Sequence, residues 1–495
     1  MRAPSWAPLV PLLAVVALLA VPAGGGEATA SAADLASAVL VVFCLVRLVR
    51  ARARPLDRAA ALVLGLPVLG VCVAAVTAHD PAGALPGVVR YLQVFVLVPA
   101  AVVLLVRDRK DFALVAWALI GLALVEGAVG AVQYLTGTGA SYMGEDIRAV
   151  GTFSPAEVMG MATIVSYGLL SAVGIALATA VRRERVAALV CAGLLVMPLV
   201  VSFSRGAWIA TLAGCAAQLV LSGPRRAVRV GLAAGALGVV LVAGFGIGSQ
   251  LLQERVASIS RVTAAPDRSV TDRYTMWAAA GAMWRTEPVT GVGLKAFPHH
   301  RDSHASLALS SGSDTAGAGH GFRRQPLLSP HNMYLLVLSE QGLLGLLALA
   351  GGWLALLVRA LVRLRAAHRP ARGRGPAEAA AAGCGLIATG LLVRQLVDFS
   401  YADIGGPPTV LTAVVLGLTA WWALAPANAS PGAPGAEGAA ANASPGARGA
   451  GEAAASASPG ARGGAEKKAD ATPRACLPTE RAGAPAGADR AVVRG

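Results

Sequence analysis

Apolar stretches of about 20 residues, the length that crosses a bilayer's hydrocarbon core, recur along most of this chain between short polar connections. They predict membrane helices near 5–23, 33–50, 59–77, 87–106, 112–135, 156–180, 186–203, 207–222, 227–247, 332–359, 379–397 and 406–425. The expected fold is all-α, a polytopic transmembrane bundle of about 12 spans. Four regions follow: nine helices in 1–247, a long polar loop at 248–331, three helices in 332–425, and a tail at 426–495.

The basic residues of the short connections give an orientation, because cytoplasmic loops retain positive charge. Arginines between Arg47 and Arg58, RDRK at 107–110, RRER at 182–185, PRRAVR at 224–229 and the basic run from Arg359 to Arg374 occupy alternate connections. These are expected inside. The connections between them are poor in cations and are expected outside, as is the 248–331 loop. With about 12 spans both termini are then cytoplasmic. Residues 1–33 also fit a secretory signal, with an early arginine, an apolar stretch and a small-residue ATASA end; a retained first helix is the preferred reading.

Composition supports this picture and removes others. Hydrophobic residues make up 56% of the 495-residue chain and charged residues 14%. The net charge of +15 is explained by topology and needs no nucleic-acid surface. From Pro426 the chain is rich in Ala, Gly, Pro and Ser, with near repeats such as NASPGARGAGE and SASPGARGG; such a tail cannot bury a core and is expected to be disordered and cytoplasmic. Of the six cysteines, none falls in the outer loop, so neither disulfides nor a cysteine metal site is expected there.

Candidate chemistry concentrates where the polar loop meets lipid. His331, in SPHNMY at the mouth of a very apolar helix, changes charge near neutral pH and can act as a general base on a hydroxyl arriving from water. The plainer alternative is a helix start capped by Asn332. Upstream, TDRYTMWAAAGAMWR places Tyr274, Trp277, Gly281 and Trp284 on one face of a helix expected to lie at the membrane surface, with Arg273 four residues before Trp277.

Arg205 stands in a tight apolar turn, VSFSRGAW, beside Ser202, Ser204 and Gly206. A guanidinium at that depth is costly unless it snorkels or binds something, and its planar fork matches phosphate oxygens. Arg394 and Asp398 can line a cavity or pair with each other, whereas Glu126 and Arg90 read as helix-packing residues with buried partners. His299, His300, Asp302 and His304 are of metal-ligand type, but their Ser/Gly/Ala flanks argue against a metal site.

Taken in order, GTFSPAEVMG (151–160), SFSRGAW (202–208), DRYTMW…EPVTGVGLKAF (272–297) and HNMYLLVLSEQGLLG (331–345) resemble the O-antigen ligase and O-antigen polymerase superfamily. The His-Asn pair followed by Gly342 and Gly345 is similar to the ligase signature. The resemblance implies glycosyl transfer from a polyprenyl-diphosphate-linked glycan to an acceptor hydroxyl outside the cytoplasmic membrane, without metal, cofactor or nucleotide sugar. It further implies that Arg205 and Arg273 hold the diphosphate and that His331 deprotonates the acceptor. Ser204, Asn332, Trp277, Arg394 and Asp398 are the accompanying candidates for substrate contacts. The implied partners are the lipid-linked donor, a glycan, lipid or protein acceptor, and membrane lipid. A repeat-unit polymerase and a protein O-oligosaccharyltransferase remain open within the family. A lipid-linked glycan flippase or transporter is the alternative from another class, although the paired repeats and midplane charges of such proteins are not seen.

Overall fold

The computed structural model describes residues 6–22, 31–51, 56–142, 148–153, 157, 159–239, 268–317, 320–367, 376–406 and 408–424. The expected tail and the first part of the expected loop lie outside these residues. The helices are α1 (Val10–Leu18), α2 (Ala32–Ala51), α3 (Arg58–Val76), α4 (Pro81–Leu92), α5 (Val98–Leu105), α6 (Arg109–Thr136), α7 (Gly160–Ala178), α8 (Arg182–Val201), α9 (Arg205–Ser222), α10 (Pro224–Val239), α11 (Arg268–Thr286), α12 (Phe297–His304), α13 (Met333–Ala367), α14 (Pro376–Asp398) and α15 (Pro408–Leu424). A π-helical turn at Gln93–Leu97 joins α4 to α5 in one continuous element. Among the described residues, 8 helices are long and apolar enough to cross a membrane, and Ala7–Leu18 and Pro408–Leu424 are shorter apolar helices. The protein is therefore a helical, multi-pass membrane protein.

Local chemistry starts and stops these helices. Asp57, Asp80 and Asp108 cap α3, α4 and α6 by accepting from first-turn amides, and Gly137 ends α6 in the left-handed conformation. Inside the bundle, α7, α14 and α15 are buried nearly all round, while α2 and α13 expose apolar stripes such as Leu347, Leu354, Val358 and Val362. That contrast separates a bundle centre from a lipid-facing perimeter. Polar residues cross-link the centre: Gln218 of α9 donates to the carbonyls of Leu170 (2.9 Å) and Leu386 (3.2 Å), and Tyr167 hydrogen-bonds Gln395 and, at 2.9 Å, Thr412.

The two packing readings from the sequence hold. Glu126 is fully buried and accepts from the Thr152 amide (2.9 Å) and hydroxyl (2.7 Å). Arg90 forms an ion pair with Asp34 and also donates to Gln93 (2.9 Å) and to the Gly406 carbonyl.

A small sheet, which the all-α reading did not foresee, gathers the polar connections at one end of the bundle. Strand β1 (Ala140–Tyr142) follows α6; β2 (Ser313–Gly317) and β3 (His320–Gln325) follow α12; all pair antiparallel in the order β1-β2-β3. The strand sequences, ASY, SDTAG and HGFRRQ, carry no alternating apolar pattern, so the strands are specified by pairing, β2 with its neighbour β3 and with β1, 170 and more residues earlier. Helix α11 packs beside this sheet with Met276, Ala279, Ala280 and Met283 against Phe297 and Leu327. Its aromatic face is the opposite one: Tyr274 is exposed and Trp277 and Trp284 are half-buried.

Helix α13 is broken. Gly342 sits at φ 65, ψ −166, and the segment Pro288–Leu294 fills the break. Leu343 and Leu344 donate to Pro288 (2.9 Å) and Val289 (3.2 Å), while Val292 and Gly293 donate to Ser339 (2.9 Å) and Glu340 (3.1 Å). Backbone groups freed by the break are thus satisfied by protein, as an apolar surrounding demands.

Candidate active site

His331 is placed by the contacts around the start of α13. Its backbone is left-handed at φ 49, and Asn332 caps the helix by accepting from Leu335 N at 3.0 Å. The Asn332 amide nitrogen donates to Ser400 at 3.1 Å, and Met333 N to Phe399 (2.8 Å) and Ala402 (3.0 Å). The capping reading of Asn332 and the catalytic reading of His331 are therefore compatible, because the cap holds the histidine against the loop that follows α14. Ser329 hydrogen-bonds Asp403 in that same loop.

Two opposite charges act on the imidazole. Burial pushes the His331 pKa below its ordinary value; nearby Asp403 pushes it up and Arg273 pushes it down. The ring is then neutral at neutral pH, the form a general base requires.

Arg273 is held toward His331 by its own helix. The Trp277 indole, one turn on, donates to the Pro330 carbonyl at 2.8 Å, fastening α11 to the residue before the histidine. Beside Arg273, buried Asp272 accepts from the Ser310 amide (2.7 Å) and hydroxyl (2.5 Å). Trp277 thus serves as a fastening between elements.

Arg205 opens α9. Phe203 makes the turn from α8 with φ 51, and the Ser204 hydroxyl accepts from Ala207 N at 3.3 Å as the N-cap. A cation in the first turn of a helix opposes the helix dipole, at a cost of roughly 0.3–1 kcal/mol, so helix stability does not explain it. An anion in front of Arg205 would reverse that cost, since it would meet both the guanidinium and the amides of the helix start. This turn reaches the rest of the site through Gly206, where a Cβ would meet that of Tyr401 at 3.2 Å, and through Ser204, 3.0 Å from the Met159 sulfur.

The structure separates the remaining pair of candidates. Arg394 is fully buried, 3.1 Å from Asp398, with its guanidinium 4.8 Å from the Tyr167 ring centre. This is the internal salt bridge, and Arg394 is sealed from anything in solution. Asp398 also lines a cavity of about 60 Å³ together with Glu157, Met159, Thr163, Asp403 and Thr409.

Asp403 and Glu157 escaped the sequence reading. Each lay inside or beside a segment already singled out, VDFSYADIGG and SPAEVMG, but nothing local marks a carboxylate that the fold brings to a histidine more than 70 residues away. The histidines 299, 300 and 304 lie on and beside α12 with His79 added from the α3–α4 connection, its ring 6.2 Å from His299. Among the described residues no group of three or more His, Cys, Asp or Glu is arranged to hold a metal ion.

Residues 187–350 match the family model described as O-antigen ligase. Over that segment the chain is similar to the O-antigen ligase family. The matched segment runs from α8 into α13 and contains Arg205, Arg273 and His331; Asp403 and Glu157 lie outside it. No curated protein matches the chain. The match supports a membrane enzyme of the glycan ligase or polymerase type, a family whose substrates are a lipid-linked glycan and an acceptor.

Proposed function

We propose that the protein transfers a glycan from a polyprenyl-diphosphate carrier to an acceptor hydroxyl on the extracytoplasmic side of the cytoplasmic membrane. What supports this most is the setting of His331 at the start of α13, where Ser329 ties its approach to Asp403 and Trp277 fastens the helix that carries Arg273 to Pro330. In this scheme His331 removes the acceptor proton while Arg205, Arg273 and the α9 N-terminus receive the diphosphate. Negative charge grows on that leaving group as the glycosidic bond breaks, so fixed cations stabilise the transition state more than the bound donor. Direct attack opposite the leaving group inverts the anomeric carbon.

Asp403 gives the imidazole a negative neighbour, and so favours the imidazolium that forms as the proton is taken. Ser204, Asn332 and Trp277 set the positions of Arg205, His331 and Arg273. The test is transfer by purified protein in nanodiscs from a polyprenyl-diphosphate glycan, with donor binding measured separately. His331→Ala should abolish transfer and leave donor binding intact; turnover near that of the unaltered protein would refute the base assignment.

A further inference from the structure

The proton that His331 removes has to leave the site, and the cavity beside Asp403 offers a way out. We propose that Glu157 is a proton-relay carboxylate that takes this proton by way of Asp403 and hands it to water in the cavity; the proposal rests on the base role of His331 above. Glu157 and Asp403 line the same cavity, and Ser329, two residues before His331, hydrogen-bonds Asp403. At about 60 Å³ the space admits a few waters. Thr163, Gln395, Asp398, Thr409 and Thr412 give those waters donors and acceptors on several sides.

Glu157 is held by backbone as well as by charge. Gly406 has φ 62, and a Cβ there would overlap the Glu157 carboxylate, so only glycine lets the loop close onto it. Arg90 grips the Gly406 carbonyl while paired with Asp34, bracing that loop from α4. The charged groups around Glu157 are Arg90 from α4, Asp403 from the loop, and the Arg394–Asp398 pair across the cavity from α14. Burial raises the Glu157 pKa, Arg90 lowers it and Asp403 raises it, with a net rise.

In the step, the acceptor O–H bond breaks to His331, the acceptor oxygen bonds the anomeric carbon, and the electron pair of the breaking glycosidic bond leaves on the diphosphate. The imidazolium then returns to neutral imidazole as its proton passes through Asp403 to the Glu157 carboxylate. Glu157 releases that proton to water and is again anionic, so the enzyme ends as it began.

The experiment is steady-state transfer by the full chain in nanodiscs, in H₂O and D₂O, for Glu157→Gln, Glu157→Ala and His331→Ala. Glu157→Gln should lower kcat by about tenfold with donor KM unchanged and enlarge the solvent isotope effect, while added formate partly restores Glu157→Ala. Unaltered kcat and isotope effect in Glu157→Gln, with His331→Ala inactive, would overturn the relay alone. A raised donor KM with no response to formate would also overturn it, by assigning Glu157 to structure. Turnover by His331→Ala would instead overturn the underlying base reading.

Discussion

Ser329 donates a hydrogen bond to Asp403, so the approach to α13 and the loop after α14 are tied together two residues from His331. The histidine and the carboxylate therefore hold their separation without a direct hydrogen bond being needed.

That arrangement fixes the sign of a pH effect. His331 is held below the ordinary imidazole value of about 6.5, so kcat/KM should fall only as pH drops below that value. Asp403→Asn removes a charge that favours imidazolium and should move the acid limb to lower pH. Arg273→Ala removes one that opposes it and should move the limb to higher pH. Profiles of kcat/KM against pH for the three proteins check both signs; shifts in the same direction would contradict the geometry.

For the arginines, Arg205→Ala and Arg273→Ala should each weaken donor binding as well as turnover. Substitution by lysine should recover little, because an ammonium cannot reproduce the planar two-point contact with phosphate. A lost charge-assisted contact corresponds to about 10- to 100-fold in donor affinity. Binding of a polyprenyl-diphosphate donor, measured without acceptor, gives the answer.

Glu126 tests packing in place of chemistry. Glu126→Ala strands the Thr152 amide and hydroxyl and should cost about 1–3 kcal/mol of apparent stability. A lower melting temperature in detergent, with donor KM unchanged in the surviving protein, is the expected result.

Orientation can be checked at Ser311, an exposed residue at the start of the β hairpin. In a background without native cysteines, Ser311→Cys should react with an impermeant maleimide in intact cells. Protection there, with labelling after lysis, would reverse the assigned topology.

How much of this was written locally in the chain differs by element. The membrane helices were legible because lipid imposes one simple demand, a long apolar run, and α6 at Arg109–Thr136 lies within a few residues of its expected bounds. Arg205, Arg273 and His331 were legible because a charged or titratable group beside an apolar helix calls for an explanation. Asp403 and Glu157 were not, since a carboxylate near a helix end is ordinary until the fold shows what it faces. The sheet was illegible for a related reason: β2 has little propensity of its own and lies between two partners, one of them far away in the chain.

Gly342→Ala should be among the most damaging single changes. Its left-handed backbone and the overlap of an added Cβ with the Val289 carbonyl predict a cost of at least about 2–3 kcal/mol. Loss of monodisperse protein after extraction is the expected observation.

The break at Gly342 also sets which residues are free to vary. Residues 288–294 are stitched by main-chain hydrogen bonds into the interrupted helix, so an insertion there would unpair the amides and carbonyls that the break sets free. The exposed hairpin positions Ser311 and Phe322 take no part in that seam. Sequence drift can accumulate there while the seam at the helix break stays constant, so one frame can carry a changing surface.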